Sequence, residues 1–204
     1  MASGWDLKAL HKLILTSAAY QRDSHATPEN LKRDPDNLYL WRKSPLRLEA
    51  EAVRDNVLFA AGHLDETRGG AEIDQNAALT SQRRSIYLRN AAEKQSELMQ
   101  IFDGPSVTEC YERKPSVMPQ QALALANSEL ALREARALAK ELASSNAPVD
   151  VKNAFERIIS RPPTTTESQE CLHFLAVGGE ASLQRRYENL VLVLFNHNDF
   201  VTVR

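Results

Sequence analysis

Apolar residues recur at helical spacing along most of the chain. Leu, Ile, Val and Ala return every three or four positions, and sustained apolar–polar alternation is rare. This pattern predicts an all-α fold. The predicted helices cover about residues 3–20, 44–62, 91–101, 119–143, 149–160, 164–178 and 183–196. The range 119–143 has a weak point near Asn127-Ser128, which predicts a break into two helices.

Residues typical of helix ends support several of these boundaries. Ser3 suits an N-cap, and Ser44-Pro45 combines a capping residue with a proline at the first helical position. Pro119 is placed in the same way at the start of its helix. Thr164-x-x-Glu167 has the spacing of a capping box, and Gly178-Gly179 suits the end of the helix that follows it.

Two long stretches lack a helical period. Residues 22–43 read as an irregular connection that contains several prolines and aromatic residues. Residues 62–89 read as a long loop with a short extended piece at 85–88. The prediction is therefore an irregular multi-helix domain with long ordered loops, in which residues 1–204 form a single helical domain.

Composition narrows the class of protein further. The 204 residues carry a net charge of −2, with 43% apolar and 25% charged residues. A nucleic-acid partner would favour a basic stripe, which is absent. The longest apolar run, residues 190–195, is too short to span a membrane. No signal-peptide pattern is present, so the localisation of this chain stays unknown. Cys110 and Cys171 are read as two ordinary thiols, and their redox state is left open.

The second predicted helix carries a stripe of four charges. At about 100° per residue, Arg47, Glu51, Arg54 and Asp55 fall close together on its surface, and apolar residues cover most of the remainder. In the favoured interpretation Glu51 pairs with Arg47 and Arg54 while the arginines also bind loop carbonyls. If this ladder is buried, Glu51→Ala should cost about 3 kcal/mol. In the alternative, the arginines bind an anion and the carboxylates act as acid or base.

Other candidate chemistry is sparse. Arg83 and Arg84 form a small basic patch, for which a salt-bridged loop is favoured over a phosphate site. For His63 and His197 with their neighbouring acidic residues, a polar surface loop is favoured over a metal site, because no H-x-x-x-H or H-E-x-x-H pair exists. No haem attachment motif, zinc spacing, phosphate loop or nucleophile elbow is present. The sequence thus predicts no cofactor and no metal, and the catalytic residues stay unknown.

A series of short motifs resembles a known domain. The matching stretches, in chain order, are Trp5-Asp-Leu-Lys8, Leu10-His-Lys-Leu-Ile14, Ser17, Tyr20, Asp34-Pro35, Asn37, Arg47-Leu-Glu-Ala-Glu51, Arg54-Asp55, Gly69-Gly70, Arg83-Arg-Ser-Ile-Tyr87, Phe102-Asp103, Pro119-Gln-Gln-Ala-Leu123, Asn127, Arg161-Pro162, Glu167, Leu194-Phe-Asn196 and Asn198-Asp-Phe200. Together they resemble the planctomycete-type C-terminal domain called domain of unknown function 1553. Phe195 and Asp199 are mild departures from its usual ending.

The resemblance implies architecture more than chemistry. Such domains typically end a much longer exported polypeptide, after a second uncharacterised domain and often a planctomycete-type cytochrome c domain. It therefore implies that this chain is the C-terminal part of a longer protein, as a fragment or a truncated gene product, with the missing N-terminal domains as partners and an exported or periplasmic parent. No catalytic residues are established for the family, so none are transferred.

Three functions are compatible with these sequence features. The first is a scaffold or interaction domain, which should expose an apolar patch where the missing segment binds. The second is part of an enzyme pocket, related to polysaccharide or redox chemistry. It requires one open cleft that brings together Arg47, Glu51, Arg54, Asp55, Arg83 and Arg84. The third is a carbohydrate-binding module, which requires Tyr39 and Trp41 to be exposed as a stacking platform.

Overall fold

The computed structural model describes residues 4–108, 113, 116–143, 147–177 and 182–203. Within these ranges the regular structure is almost entirely helical, so the all-α prediction is confirmed. The helices are α1 (Leu7–Leu15), α2 (Pro28–Arg33), α3 (Ala50–Ala60), α4 (Glu97–Ile101), α5 (Pro119–Asn127), α6 (Glu129–Leu142), α7 (Ala147–Ile159), α8 (Thr165–Val177) and α9 (Leu183–Phe195). The predicted caps at Ser3 and Gly178-Gly179, and Cys110, lie outside the described residues.

The chain divides into two compact units. Unit 1 comprises Met1–Leu46 and Thr202–Arg204, and unit 2 comprises Arg47–Val201. Helices α1 and α2 belong to unit 1, and α3 to α9 belong to unit 2. That residues 1–204 act as a single domain stays a prediction.

Helix α1 is shorter than the predicted range 3–20. The Asp6 carboxylate accepts hydrogen bonds from the backbone N–H groups of Lys8 (2.9 Å) and Ala9 (3.3 Å), which fixes the start of the helix at Leu7. At the other end the Thr16 hydroxyl donates to the Lys12 carbonyl (2.8 Å). The sequence is amphipathic, but no residue of α1 is buried.

Residues 22–43 contain a helix, α2, that the sequence analysis did not predict. The hydroxyl of Thr27 accepts from the N–H of Asn30 (3.4 Å), and Pro28 occupies the first helical position. Beyond the helix, the buried Asp34 carboxylate accepts from the N–H groups of Leu38 (2.9 Å) and Tyr39 (2.8 Å). Residues 22–43 therefore contain a short helix and a turn held by side-chain hydrogen bonds, where an irregular connection was expected.

The second predicted helix begins later than Ser44-Pro45. Strand β1 (Leu46–Arg47) pairs with strand β2 (Thr202–Val203), and the N–H of Leu48 donates to the Val201 carbonyl (2.9 Å). These bonds keep the backbone extended up to Glu49, so α3 starts at Ala50. Arg47 is therefore not part of the helix on which the charged stripe was predicted.

The core of unit 2 is built around α6 and α9. Leu138, Ala139, Val191 and Phe195 are completely buried, and side chains of α3, α4, α5, α7 and α8 belong to the same cluster. The predicted break between two helices in the range 119–143 is confirmed. Ser128 separates α5 from α6, and its hydroxyl caps α6 by accepting from the N–H of Ala131 (3.2 Å).

Residues 62–89 form a long ordered connection, as predicted, but the extended piece expected at 85–88 is wrong. Residues Ser85–Tyr87 form a 3-10 helix, and a second one covers Gln75–Ala77. Isolated bridges pair Asp65 with Arg83 and Ile73 with Leu88. The following helix, α4, covers only the last part of the predicted range 91–101. Among the described residues no helix has the length and apolar character needed to cross a membrane.

Candidate functional site

Arg54 is the best-anchored residue of the predicted charged stripe. Its side chain lies on α3 with 1% of the residue exposed. The guanidinium donates to three loop carbonyls, those of Ala78 (2.7 Å), Ser81 (2.5 Å) and Arg83 (2.9 Å). Burial lowers its pKa, and the neighbouring Asp55 carboxylate partly opposes that shift. The prediction that arginine cross-links this helix to the loop is confirmed here.

Asp55 completes the same attachment. One carboxylate oxygen accepts from both the N–H (2.8 Å) and the hydroxyl (2.6 Å) of Ser85, and it lies 3.4 Å from an Arg54 nitrogen. The other oxygen is 3.8 Å from the guanidinium of Arg84, whose side chain is half exposed. We call Arg54, Asp55 and Ser85 with the three carbonyls the Arg54 network. It ties residues 78–85 to a buried helix.

Glu51 has a different partner from the one predicted. It forms a two-pronged ion pair with Arg113, with N–O distances of 3.0 and 3.1 Å. The expected pairs with Arg47 and Arg54 are wrong. Arg47 lies on β1 and donates to the side chain of Gln121 (2.7 Å). Arg113 was missed because it lies in a polar connection with no period from which its position could be inferred.

Arg83 anchors the loop a second time, away from α3. Its guanidinium donates to the carbonyls of Ala71 (2.9 Å) and Gly69, and it stacks over the ring of Tyr87 at 4.2 Å from the ring centre. The Tyr87 hydroxyl accepts from the N–H of Gly69 (2.8 Å). Gly69 has a φ of +78°, a conformation that favours glycine. These contacts indicate a structural role for Arg83, because its guanidinium joins separate parts of the loop.

A groove of about 700 Å³ lies beside α3 in unit 2. The six predicted residues do not all converge on it: Glu51, Asp55 and Arg84 line the groove, whereas Arg47, Arg54 and Arg83 do not. Its described lining residues are Glu49, Glu51, Ala52, Asp55, Asn56, Phe59, Leu64, Glu66, Arg84, Ile86 and Arg113. Among these described residues the polar side chains are carboxylates, arginines and one asparagine, with no histidine, cysteine or serine.

A second ion-pair network, which the sequence analysis did not predict, lies near the end of unit 2. Arg161 donates to both oxygens of Glu167 (2.8 and 2.6 Å) and to Asp199 (2.8 Å). Glu167 also accepts from the N–H of Thr164 (2.7 Å), as the predicted capping box requires. Arg161 lowers the pKa of Glu167 from 4.5 to about 2, and Glu167 in turn raises the pKa of Arg161.

Two buried carboxylates also have close partners. Tyr187 donates its hydroxyl to Asp150 (2.6 Å), and burial, followed by Asp150, raises the pKa of the phenol. Glu134 lies 2.5 Å from Nδ1 of His63 and accepts from Arg133 (2.7 Å). No group of three or more potential metal ligands is found within the part of the chain that the structure describes.

The two aromatic residues considered for carbohydrate binding lie in unit 1 and differ in exposure. Tyr39 is exposed, whereas Trp41 is half-buried. The indole N–H of Trp41 donates to the Asp34 carbonyl (2.9 Å), and the Arg42 guanidinium stacks over its ring at 5.1 Å. One face of the Trp41 ring is therefore covered by the Arg42 guanidinium.

The fold and these sites define a helical domain in which arginines fasten long loops to buried helices. The chain belongs to the family described as PSD1, protein of unknown function (DUF1553), whose model matches residues 1–175. The match confirms the resemblance to an uncharacterised domain family, whereas the planctomycete type and the C-terminal position stay predictions. No curated protein and no solved structure matches the chain.

Proposed function

We propose that this chain is a scaffold or interaction domain of a larger exported, cytochrome-c-linked protein of planctomycete type. Its partner is a preceding domain of the same polypeptide, which covers the apolar face of α1. The observation that carries the proposal is that α1 has no buried residue although its sequence is strongly amphipathic. The family resemblance implies a longer polypeptide with further domains, and the exposed helix α1 offers the surface to which one of them would bind.

The apolar side chains of α1 are exposed, and their contact with water is unfavourable. Leu7, Leu10, Leu13, Ile14 and Leu15 are all exposed. An isolated helix of nine residues is marginal in water, because its few hydrogen bonds scarcely offset the cost of nucleation. Packing of an apolar face normally supplies the missing stability. Contact with a partner would provide that packing and remove an apolar patch from water.

The charged residues of α3 and of the loop after it support the same proposal. Arg54 donates to three loop carbonyls and Arg83 to two, and Glu51 is paired with Arg113. An enzyme pocket would need such groups to face a substrate. The polysaccharide or redox alternative is therefore less well supported, and so is the carbohydrate-binding alternative, for which only Tyr39 is exposed.

The test measures binding of this chain to the segment encoded upstream of it, supplied as a separate polypeptide. We expect Leu10→Glu with Ile14→Glu to weaken binding at least tenfold, because two carboxylates would enter an apolar interface. Isothermal titration calorimetry measures the dissociation constants. The matched control is Lys8→Ala with Lys12→Ala, which changes the net charge by the same amount on the polar side of the helix.

Two results would overturn the proposal. One is equal affinity of the wild-type chain and the Leu10→Glu, Ile14→Glu variant. The other is the absence of any upstream segment that binds. Circular dichroism of each variant establishes that unit 2 remains folded, so that weaker binding is not confused with unfolding.

A further inference from the structure

Leu38, Tyr39 and Leu40 form an apolar turn on the surface of unit 1. Their exposures are 78%, 84% and 65%, so three consecutive large side chains face water. Single exposed apolar residues are ordinary on protein surfaces, whereas contiguous ones often mark a binding site. We call these three residues the Leu38–Leu40 turn.

Two buried polar residues hold this turn in place. The Asp34 carboxylate accepts from the two N–H groups at the start of the turn, with distances of 2.9 and 2.8 Å. The Asn37 amide donates to the Arg42 carbonyl (2.9 Å) and the Ser44 hydroxyl (3.0 Å), and its oxygen accepts from the Arg42 N–H (3.2 Å). Asp34 and Asn37 are the only buried residues in the described part of unit 1. The buried groups of this unit therefore serve to build the turn.

The backbone of the turn is left-handed at Leu40, where φ is +52°. Glycine, asparagine and aspartate adopt this conformation readily, whereas it is unfavourable for leucine. Such strain persists only where the surrounding structure imposes it, and it is concentrated at functional sites. A leucine that is both strained and exposed does not stabilise the isolated chain, so its side chain is better explained by binding.

Unit 1 lacks an apolar core of its own within its described residues. All of the buried apolar residues in the described chain belong to unit 2. Buried apolar surface normally offsets the conformational entropy that a chain loses when it folds. The apolar side chains of unit 1 are therefore available to a partner, which would supply the missing core.

We infer that the Leu38–Leu40 turn inserts into an apolar pocket of the same preceding domain that covers α1. The inference rests on the proposed function and extends its interface from one element of unit 1 to two. A turn that is already built loses little entropy on binding. Tyr39, the central residue, combines an apolar ring with a polar hydroxyl, which suits an interface anchor.

The test measures binding of the upstream segment to the full chain in which Leu38→Asn is combined with Leu40→Asn. Net charge is unchanged, and asparagine suits the left-handed backbone at position 40. We expect at least about a tenfold rise in the dissociation constant by isothermal titration calorimetry, because two apolar contacts are lost. The matched control combines Ile86→Asn with Val117→Asn, which removes two apolar residues of unit 2 with exposures of 72% and 81%. The control should leave the affinity unchanged.

Comparison with the α1 variant, Leu10→Glu with Ile14→Glu, separates the two parts of the interface. Weaker binding in both variants, with the control unchanged, is the expected result. Weaker binding in the α1 variant alone would overturn this inference and leave the proposed function standing. Weaker binding in the turn variant alone would instead remove α1 from the interface, against the proposed function.

Measurements on the chain without its partner also decide the inference. Amide hydrogen exchange should be slow at the N–H groups of Leu38 and Tyr39, because Asp34 binds them, and fast exchange would contradict a preformed turn. In sedimentation velocity, a wild-type dimer that the turn variant dissociates would assign the turn to a second copy of the chain. Cosedimentation with phosphatidylcholine vesicles that the turn variant abolishes would assign it to a membrane surface instead.

Discussion

Helices α1 and α6 have similar sequence patterns but differ in burial. Both place apolar residues on one face and polar residues on the other. Helix α6 buries seven residues, including Leu130, Leu138 and Leu142, whereas α1 buries none. The difference shows that an amphipathic pattern predicts a helix and its apolar face, but not whether the chain itself provides the surface that covers that face.

Each of the two units is stabilised internally by a different kind of interaction. In the described part of unit 1 the buried residues are the polar Asp34 and Asn37, and both make local hydrogen bonds. Unit 2 combines an apolar core with arginines that bind distant backbone carbonyls. Stability should therefore respond strongly to changes in unit 2 and weakly to changes in unit 1.

The largest effect should follow Arg54→Ala. The change leaves three loop carbonyls without their buried donor and removes the cation beside Asp55, and we expect a loss of about 4 kcal/mol in the free energy of unfolding. Urea denaturation measures it. The matched control is Arg33→Ala in unit 1, whose partner Glu29 is equally exposed, with side-chain exposures of 76% and 74%. We expect the control to change stability by less than about 0.5 kcal/mol.

Arg54→Lys distinguishes the geometry of the network from its charge. Lysine keeps the positive charge but cannot reach several carbonyls with a planar fork. We expect it to recover only a small part of the loss. Full recovery by lysine would show that charge alone, rather than the arrangement of donors, holds the loop.

The next effect should follow Leu138→Ala in α6. Leu138 is completely buried, and its truncation should cost about 3 kcal/mol through lost burial and a cavity. The same urea experiment measures the loss. An effect below about 1 kcal/mol would mean that the core around α6 collapses to fill the cavity, and would weaken the contrast with α1.

The accuracy of sequence reasoning also differs between regions. Helices α6 to α9 were predicted closely, because long apolar periods and the Thr164 capping box mark them. The start of α3 was wrong because β1 pairs with a strand about 155 residues later, and no local signal encodes such a partner. Arg54 was placed correctly as a loop anchor, since a charge on a largely apolar helix needs buried acceptors.

Other misses have different causes. The start signal of α2, Thr27-Pro28 followed by Glu29, was present in the sequence but was read as part of a loop. Arg113 gave no signal, because its pairing with Glu51 depends on the path of an irregular segment.

Acid should destabilise unit 2 through Glu167. Its pKa is lowered from 4.5 to about 2 by Arg161, so the stabilisation is complete above about pH 4.5 and is lost as the pH falls towards 2. About a quarter of the Glu167 side chain is exposed, and solvent screening limits the expected loss to about 1.5 kcal/mol. Unfolding free energies measured at a series of pH values test this.

Glu167→Gln provides the control for that pH series. The variant should be less stable at neutral pH, and its stability should change less between pH 4.5 and 2. Glu29→Gln in α2 is the matched change in unit 1 and should leave the pH dependence unaltered. A Glu167→Gln curve parallel to that of the wild type would assign the acid sensitivity to other carboxylates.

A smaller effect is expected for Glu51→Ala. A fully buried ladder would have made this change cost about 3 kcal/mol. Glu51 instead pairs with Arg113, and each side chain retains 25% exposure, so we expect about 1 kcal/mol. A double-mutant cycle with Arg113→Ala isolates the energy of the pair. A loss of 3 kcal/mol in the single variant would restore the buried interpretation.

The smallest effect should come from α1 itself. Leu10 is 49% exposed, so Leu10→Ala should change the unfolding free energy of the chain by less than about 0.5 kcal/mol. Amide hydrogen exchange gives the sharper comparison, because backbone N–H groups of α1 should exchange much faster than those of α6. Slow exchange in α1 of the isolated chain would show that its apolar face is already covered. Protection that arises only when the upstream segment is added would instead locate the missing half of the interface on that segment.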